Sequence, residues 1–103
     1  MDALTRLQQW YLDQCDEDWE HSYGVEISTL DNPGWTLEVD LTDTSLDGKP
    51  FETVHYGMFD DAETSGIEWI FCKVEENKFS ASGGPLKLEE IINVFLQWAA
   101  DAA

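Results

Sequence analysis

The residues with the most chemical potential in this chain lie close together. Asp16, Glu17, Asp18 and Glu20 place four carboxylates in five positions, around Trp19 and just ahead of His21. Carboxylates beside an imidazole invite two chemistries. One is general acid–base catalysis, which needs a histidine, an acid to orient it and a reacting partner within hydrogen-bond reach. The other is metal binding, for which histidine and carboxylate are ordinary ligands. The spacing argues against both. Side chains adjacent in sequence point in different directions, so these acids have no reason to converge on one atom. The second histidine, His55, is remote in sequence. Cys15 and Cys72 have no metal-ligand spacing and form no CxxC pair. Both fall in expected regular elements, where a thiol behaves as a small apolar side chain. No catalytic residue, metal site or cofactor is therefore expected. A small acidic enzyme or metal-binding domain using His21, His55 and the nearby carboxylates is the alternative reading.

Charge narrows the partners. Twenty-two Asp and Glu face five Lys and Arg, a formal net charge of -17. Nucleic acid and anionic membrane surfaces would be repelled, and neither is expected as a partner. A basic protein is the natural complement. Part of the acid excess serves solubility, and a general acidic, DNA-mimicking interaction module is a further alternative. At 103 residues, 43% of them hydrophobic, the chain reads as one domain over residues 1–103 with enough core to fold without staples. The N-terminal residues lack a basic leader with an apolar run behind it, and no apolar stretch has the length of a bilayer. With the cysteine usage, this fits a cytoplasmic protein.

The elements that must position the acidic cluster can be read from periodicity. Residues 3 to 15 form a predicted helix, with Leu4, Leu7, Trp10, Tyr11 and Cys15 on its apolar stripe. Asp2 is its expected N-cap. More carboxylates at the negative end of this helix would destabilise it, so it should stop near residues 13 to 15. The acidic cluster then reads as a loop or an irregular strand entry. Trp19 lies on no stripe, and it is expected either to tuck in and hold this loop or to anchor an interface. Residues 22 to 31 and 35 to 42 alternate with a period of two, as half-buried antiparallel strands do. Asp31, Asn32, Pro33 and Gly34 supply a turn, with proline pre-setting φ and glycine free to take a positive one. The polar positions Glu26, Glu38 and Asp40 share the solvent face of this hairpin. Together with the cluster they make a candidate binding surface for a cationic partner: Asp16, Glu17, Asp18, Trp19, Glu20, Glu26, Glu38 and Asp40.

Residues 43 to 50 are expected as a loop and 51 to 59 as a weaker strand. Residues 60 to 66 read as an acidic loop. Residues 67 to 75, apolar on both faces around Trp69, Ile70, Phe71 and Cys72, read as a central strand, with 78 to 82 pairing beside it. Gly83, Gly84 and Pro85 lack the lysine of a phosphate-binding loop and read as a turn into the last helix. That helix runs from Leu86 to about Ala100, its stripe carried by Leu88, Ile91, Ile92, Phe95, Leu96 and Trp98 or Ala99. The predicted fold is α+β: an N-terminal helix, an antiparallel sheet of about four to five strands, and a C-terminal helix packed on the sheet.

Several runs carry a resemblance. Asp18-Trp19-Glu20-His21 followed by Tyr23-Gly24, and Leu30-Asp31-Asn32-Pro33-Gly34-Trp35, are the most specific. Trp10-Tyr11, Cys15-Asp16, Asp40-Leu41, Trp69, Cys72, Phe79 and Gly83-Gly84-Pro85 add to them. The chain resembles the immunity protein 53 family of bacterial polymorphic-toxin systems, over nearly its whole length except residues 43 to 66. The resemblance implies a small cytoplasmic protein, made beside a toxin, that binds and blocks it. Many such toxins are nucleases, whose phosphate-gripping surfaces are basic, and this agrees with the acid excess. No catalytic residues carry over.

Overall fold

The computed structural model describes residues 2–31, 33–57 and 68–101. The expected loop over residues 60 to 66 lies outside these, as do residues 58 and 59 of the third predicted strand. Helix α1 (Ala3–Gln14) opens the chain. The Asp2 carboxylate accepts the N–H of Thr5 at 2.8 Å, so the expected N-cap is in place. A short helix, α2 (Trp19–Ser22), follows. Strands β1 (Val25–Leu30), β2 (Gly34–Asp40), β3 (Val54–Tyr56), β4 (Ile70–Glu75) and β5 (Lys78–Gly83) form one sheet, and α3 (Leu88–Ala100) closes the chain. The strand order is β1-β2-β5-β4-β3, and every pairing is antiparallel.

The fold is α+β, as the periodicities predict, and both long helices lie on one face of the sheet. Helix α3 rests on β2, β5 and β4, and α1 packs against α3. The stripe expected on α3 is the one it buries: Ile91, Ile92, Phe95, Leu96 and Trp98. They meet Leu37 and Val39 of β2, Ile70 and Cys72 of β4, and Phe79 and Ala81 of β5. Phe79 and Phe95 are fully buried and sit edge to face at 5.1 Å. Each such side chain contributes about 1.5–3 kcal/mol of burial, and their edge-to-face geometry suits the ring quadrupoles. Burial, with the Glu90 charge adding to it, pushes the Cys72 thiol up to about 12. It stays protonated and behaves as an apolar core atom.

Three tryptophans tie loops to the rest of the fold through their indole N–H groups. The indole N–H groups of Trp19, Trp35 and Trp98 donate to the carbonyls of Thr42, Pro85 and Pro50 at 2.9, 3.0 and 2.9 Å. Trp19 and Trp98 are buried and Trp35 is half-buried, and each satisfies its one polar atom.

Several details depart from the sequence reading. Strand β4 is interior to the sheet, as expected, but its second face is only half-buried. It lies between β5 and the short β3, and only Ile70 and Cys72 are fully buried on it. The apolar run at residues 69 to 72 misleads because Phe71 faces the other side of the sheet, half-buried beside His55. Gly34 does not take a positive φ. A Cβ there would lie 2.4 Å from the Gly83 carbonyl oxygen, so glycine is needed for close approach of two strands. The β4–β5 hairpin turns on Glu76 and Asn77 with φ of 54° and 61°. Two left-handed residues between paired Glu75 and Lys78 make the type I′ turn that suits the twist of a hairpin.

Candidate partner-binding surface

The acidic cluster is a loop only over residues 16–18, which bend into the first turn of α2 at Trp19 and Glu20. Asp16 Oδ1 accepts the backbone N–H groups of Asp18 and Trp19, each at 2.9 Å. Those are free donors at the start of α2, which a carboxylate satisfies. Glu20 reaches back from inside α2. Its Oε1 accepts the N–H of Asp16 at 3.0 Å and its Oε2 that of Glu17 at 3.0 Å. The two acids cap reciprocally, in the manner of a capping box. The link is closed by Glu17, which adopts a left-handed φ of 77°. The Trp19 and Asp18 amides, in that order of weight, hold the Asp16 carboxyl below its ordinary value. Backbone N–H groups of Glu20 itself, Asp16 and Glu17 do the same for Glu20.

Trp19 closes this unit from below and is 4% exposed. Its ring meets Trp10 at 6.1 Å and Tyr11 at 6.0 Å on α1, and Tyr23 at 6.2 Å. It tucks in and holds the turn, so it presents no face to a partner. Of the five clustered residues, Asp16 and Glu20 bond neighbouring backbone N–H groups, Trp19 is interior, and Asp16, Glu17 and Asp18 are exposed.

The other three candidates are brought together elsewhere. Pairing places Glu26 opposite Glu38, Asp40 opposite Lys78, and Glu38 opposite Ser80. All point to the face of the sheet away from the helices. Among the described residues no helix covers that face. It carries small hydroxyl residues: Ser28, Thr36 and Ser82 form one cross-strand row, and Ser80 pairs with Glu38 in the next. At one end is a shallow depression of about 290 Å³ lined by Gly24, Val25, Glu26, Glu38, Asp40 and Lys78. Lys78 Nζ lies 3.7 Å from Asp40 and 4.0 Å from Glu38. Both contacts are solvent-exposed and long, which makes them weak. Asp40 has a second role, because its Oδ2 accepts the N–H of Gly24 at 2.9 Å. Glu26 has no ion-pair partner among the described residues. Through Gly24 and through the Trp19 bond to Thr42, this depression adjoins the capped turn.

The histidines do not converge. His21 is exposed on α2, ahead of β1, while His55 is exposed on β3 at the opposite edge of the sheet. Among the described residues no group of three or more His, Cys, Asp or Glu side chains is arranged to hold a metal ion. No helix there is long and apolar enough to cross a membrane.

Sequence reasoning missed two features. The backbone bonds of Asp16 and Glu20 depend on the left-handed Glu17, which no local signal marks. Leu46, in the expected loop, is fully buried; it is held by bonds of the Leu46 N–H to Thr44 Oγ1 and of the Thr44 N–H to the Leu41 carbonyl.

Comparison with curated proteins and with solved structures returns no match. The family model for immunity protein 53 matches residues 4–100. The match takes in α1, the capped turn, all five strands and α3, and the chain therefore belongs to the immunity protein 53 family.

Proposed function

We propose that this protein binds a cognate bacterial toxin domain, encoded beside it, and blocks it without catalysis. Family membership supports an immunity function. The observation that carries the binding mode is the open sheet face, where Glu26, Glu38 and Asp40 meet a single lysine in one depression. The exposed Glu17 and Asp18 extend that acidic surface. A basic toxin of nuclease type, which must grip phosphate, presents the matching charge.

The net charge of -17 gives this pairing a kinetic logic. A strongly acidic inhibitor is steered toward a basic partner and associates at rates up to about 10⁸–10⁹ per molar per second at low salt. Fast capture suits a protein that must reach its toxin before the toxin reaches a substrate in the cytoplasm.

Co-expression tests this reading. The protein is expected to protect cells from the adjacent toxin and to bind the purified, inactivated toxin domain at low salt. Failure of both removes it. With His21 on α2 ahead of β1 and His55 on β3 at the far edge of the sheet, the enzyme and metal-site alternative has no shared site.

A further inference from the structure

Strand β1 is an edge strand with two different faces and an unused side. The Asp40 N–H donates to the Gly24 carbonyl at 3.0 Å. By alternation in an antiparallel pair, Gly24, Glu26, Ser28 and Leu30 turn their backbone groups toward β2. Val25, Ile27 and Thr29 turn theirs outward, and these have no backbone partner among the described residues. The pairing with β2 runs unbroken, without a bulge. The strand contains no proline and no lysine, the usual protections of an edge.

The two faces beside this edge differ in chemistry. On the open face lies the acidic depression, lined by Gly24, Val25, Glu26, Glu38, Asp40 and Lys78. On the helix face, α1 packs against α3 and leaves a mainly apolar groove of about 300 Å³ between itself and β1. Leu4, Leu7, Tyr11 and Ile27 line it. Leu4 is 53% exposed, Tyr11 38% and Ile27 37%. Gly24 and Val25 line both the groove and the depression, so one added strand would touch both.

The geometry points to an extended segment of the toxin as the occupant of this edge, adding a sixth strand beside β1. This rests on the toxin-binding reading above. Backbone groups of the segment pair with Val25, Ile27 and Thr29. Its side chains alternate: basic ones project over the open face to Glu26 and Glu38, and apolar ones enter the groove at Leu4, Tyr11 and Ile27. Main-chain pairing supplies affinity and the alternate side chains supply specificity, as in other strand additions. Charge selects this occupant over a second copy of the chain. Two molecules at -17 each repel, and antiparallel pairing of β1 with itself would bring further glutamates to the same face.

Amide hydrogen exchange on the full-length protein, free and with the inactivated toxin domain, tests this. The Val25, Ile27 and Thr29 amides are expected to exchange rapidly in the free protein and about tenfold or more slowly in the complex. Those of Glu26 and Ser28 are protected in both states. Ile27→Pro removes an outward N–H without touching the bonds to β2 and is expected to weaken binding about tenfold or more, whereas Ile27→Val retains it. Should Ile27→Pro fail to fold, exchange on the unaltered protein decides. Toxin binding with no protection at the three outward amides overturns the strand addition and leaves the toxin-binding reading intact. Absence of any toxin binding removes both. Self-association of the free protein, seen by sedimentation and protecting the same amides, overturns the choice of occupant.

Discussion

Two regions of this molecule are built from the same side chain and use it differently. In the turn at residues 16–20, two carboxylates make five backbone contacts of 2.9–3.2 Å and hold a tight connection together. On the open face, Glu26 and Glu38 lie side by side across β1 and β2 and gain nothing from each other. Like charges opposite one another in a sheet destabilise it. Acid density therefore does not by itself mark a binding surface. The informative quantity is what the carboxylate oxygens touch. By that measure the turn is largely architecture, whereas on the open face Glu26 has no ion-pair partner among the described residues and Glu38 has only a long contact to Lys78.

The largest expected effect breaks the architectural half. Trp19→Ala removes a buried indole and its bond to Thr42, and is expected to cost about 3–5 kcal/mol in denaturant unfolding. A loss below about 1 kcal/mol would show that the turn is not tied to the core.

Next in size is the open-face pair. Glu26→Gln with Glu38→Gln is expected to slow association with the toxin about tenfold at low salt and to bring rates together at high salt. The same change relieves repulsion and is expected to stabilise the free protein by about 0.2–0.5 kcal/mol. Asp16→Asn with Glu20→Gln has the opposite profile. It is expected to speed exchange of the Asp18 and Trp19 amides roughly tenfold, with a smaller effect on the association rate. If the two double variants behave alike, the division between the regions fails.

A pH titration sharpens the contrast. Asp16 and Glu20 have folded values lowered below the ordinary 3.8 and 4.5 by backbone N–H donors. Their contribution is complete above those ordinary values and is lost as pH falls through the lower, folded ones. The Trp19 indole resonance is thus expected to hold its position down to about pH 4 and shift only below it. A shift between pH 5 and 6 would contradict the assignment.

Some of this was legible in the sequence and some was not, for physical reasons. The β1–β2 hairpin and the α3 stripe were legible because a period of two or 3.6 is imposed by burial of one face. The Asp2 cap was legible because it precedes an apolar-periodic run. The covering of β4 is not legible because an apolar run does not say what lies on its second face, and Phe71 is on the side away from the helices. The backbone bonds of the acids at residues 16–20 are not legible because side chain to backbone bonds depend on the local path of the chain, here a left-handed Glu17. The candidate surface was half legible. Glu26, Glu38 and Asp40 follow from strand alternation, whereas Trp19, Asp16 and Glu20 have structural roles that only the fold reveals. The apolar groove beside β1 was hidden, because it arises from how α1 sits on α3 rather than from any one segment.

The central claim is that the open-face acids, not the capped turn, steer the protein to a basic toxin. Stopped-flow association rates across a salt series, for the unaltered protein and for Glu26→Gln with Glu38→Gln, test it directly. The account predicts a shallower fall of rate with salt for the double variant. An unchanged salt dependence would contradict it.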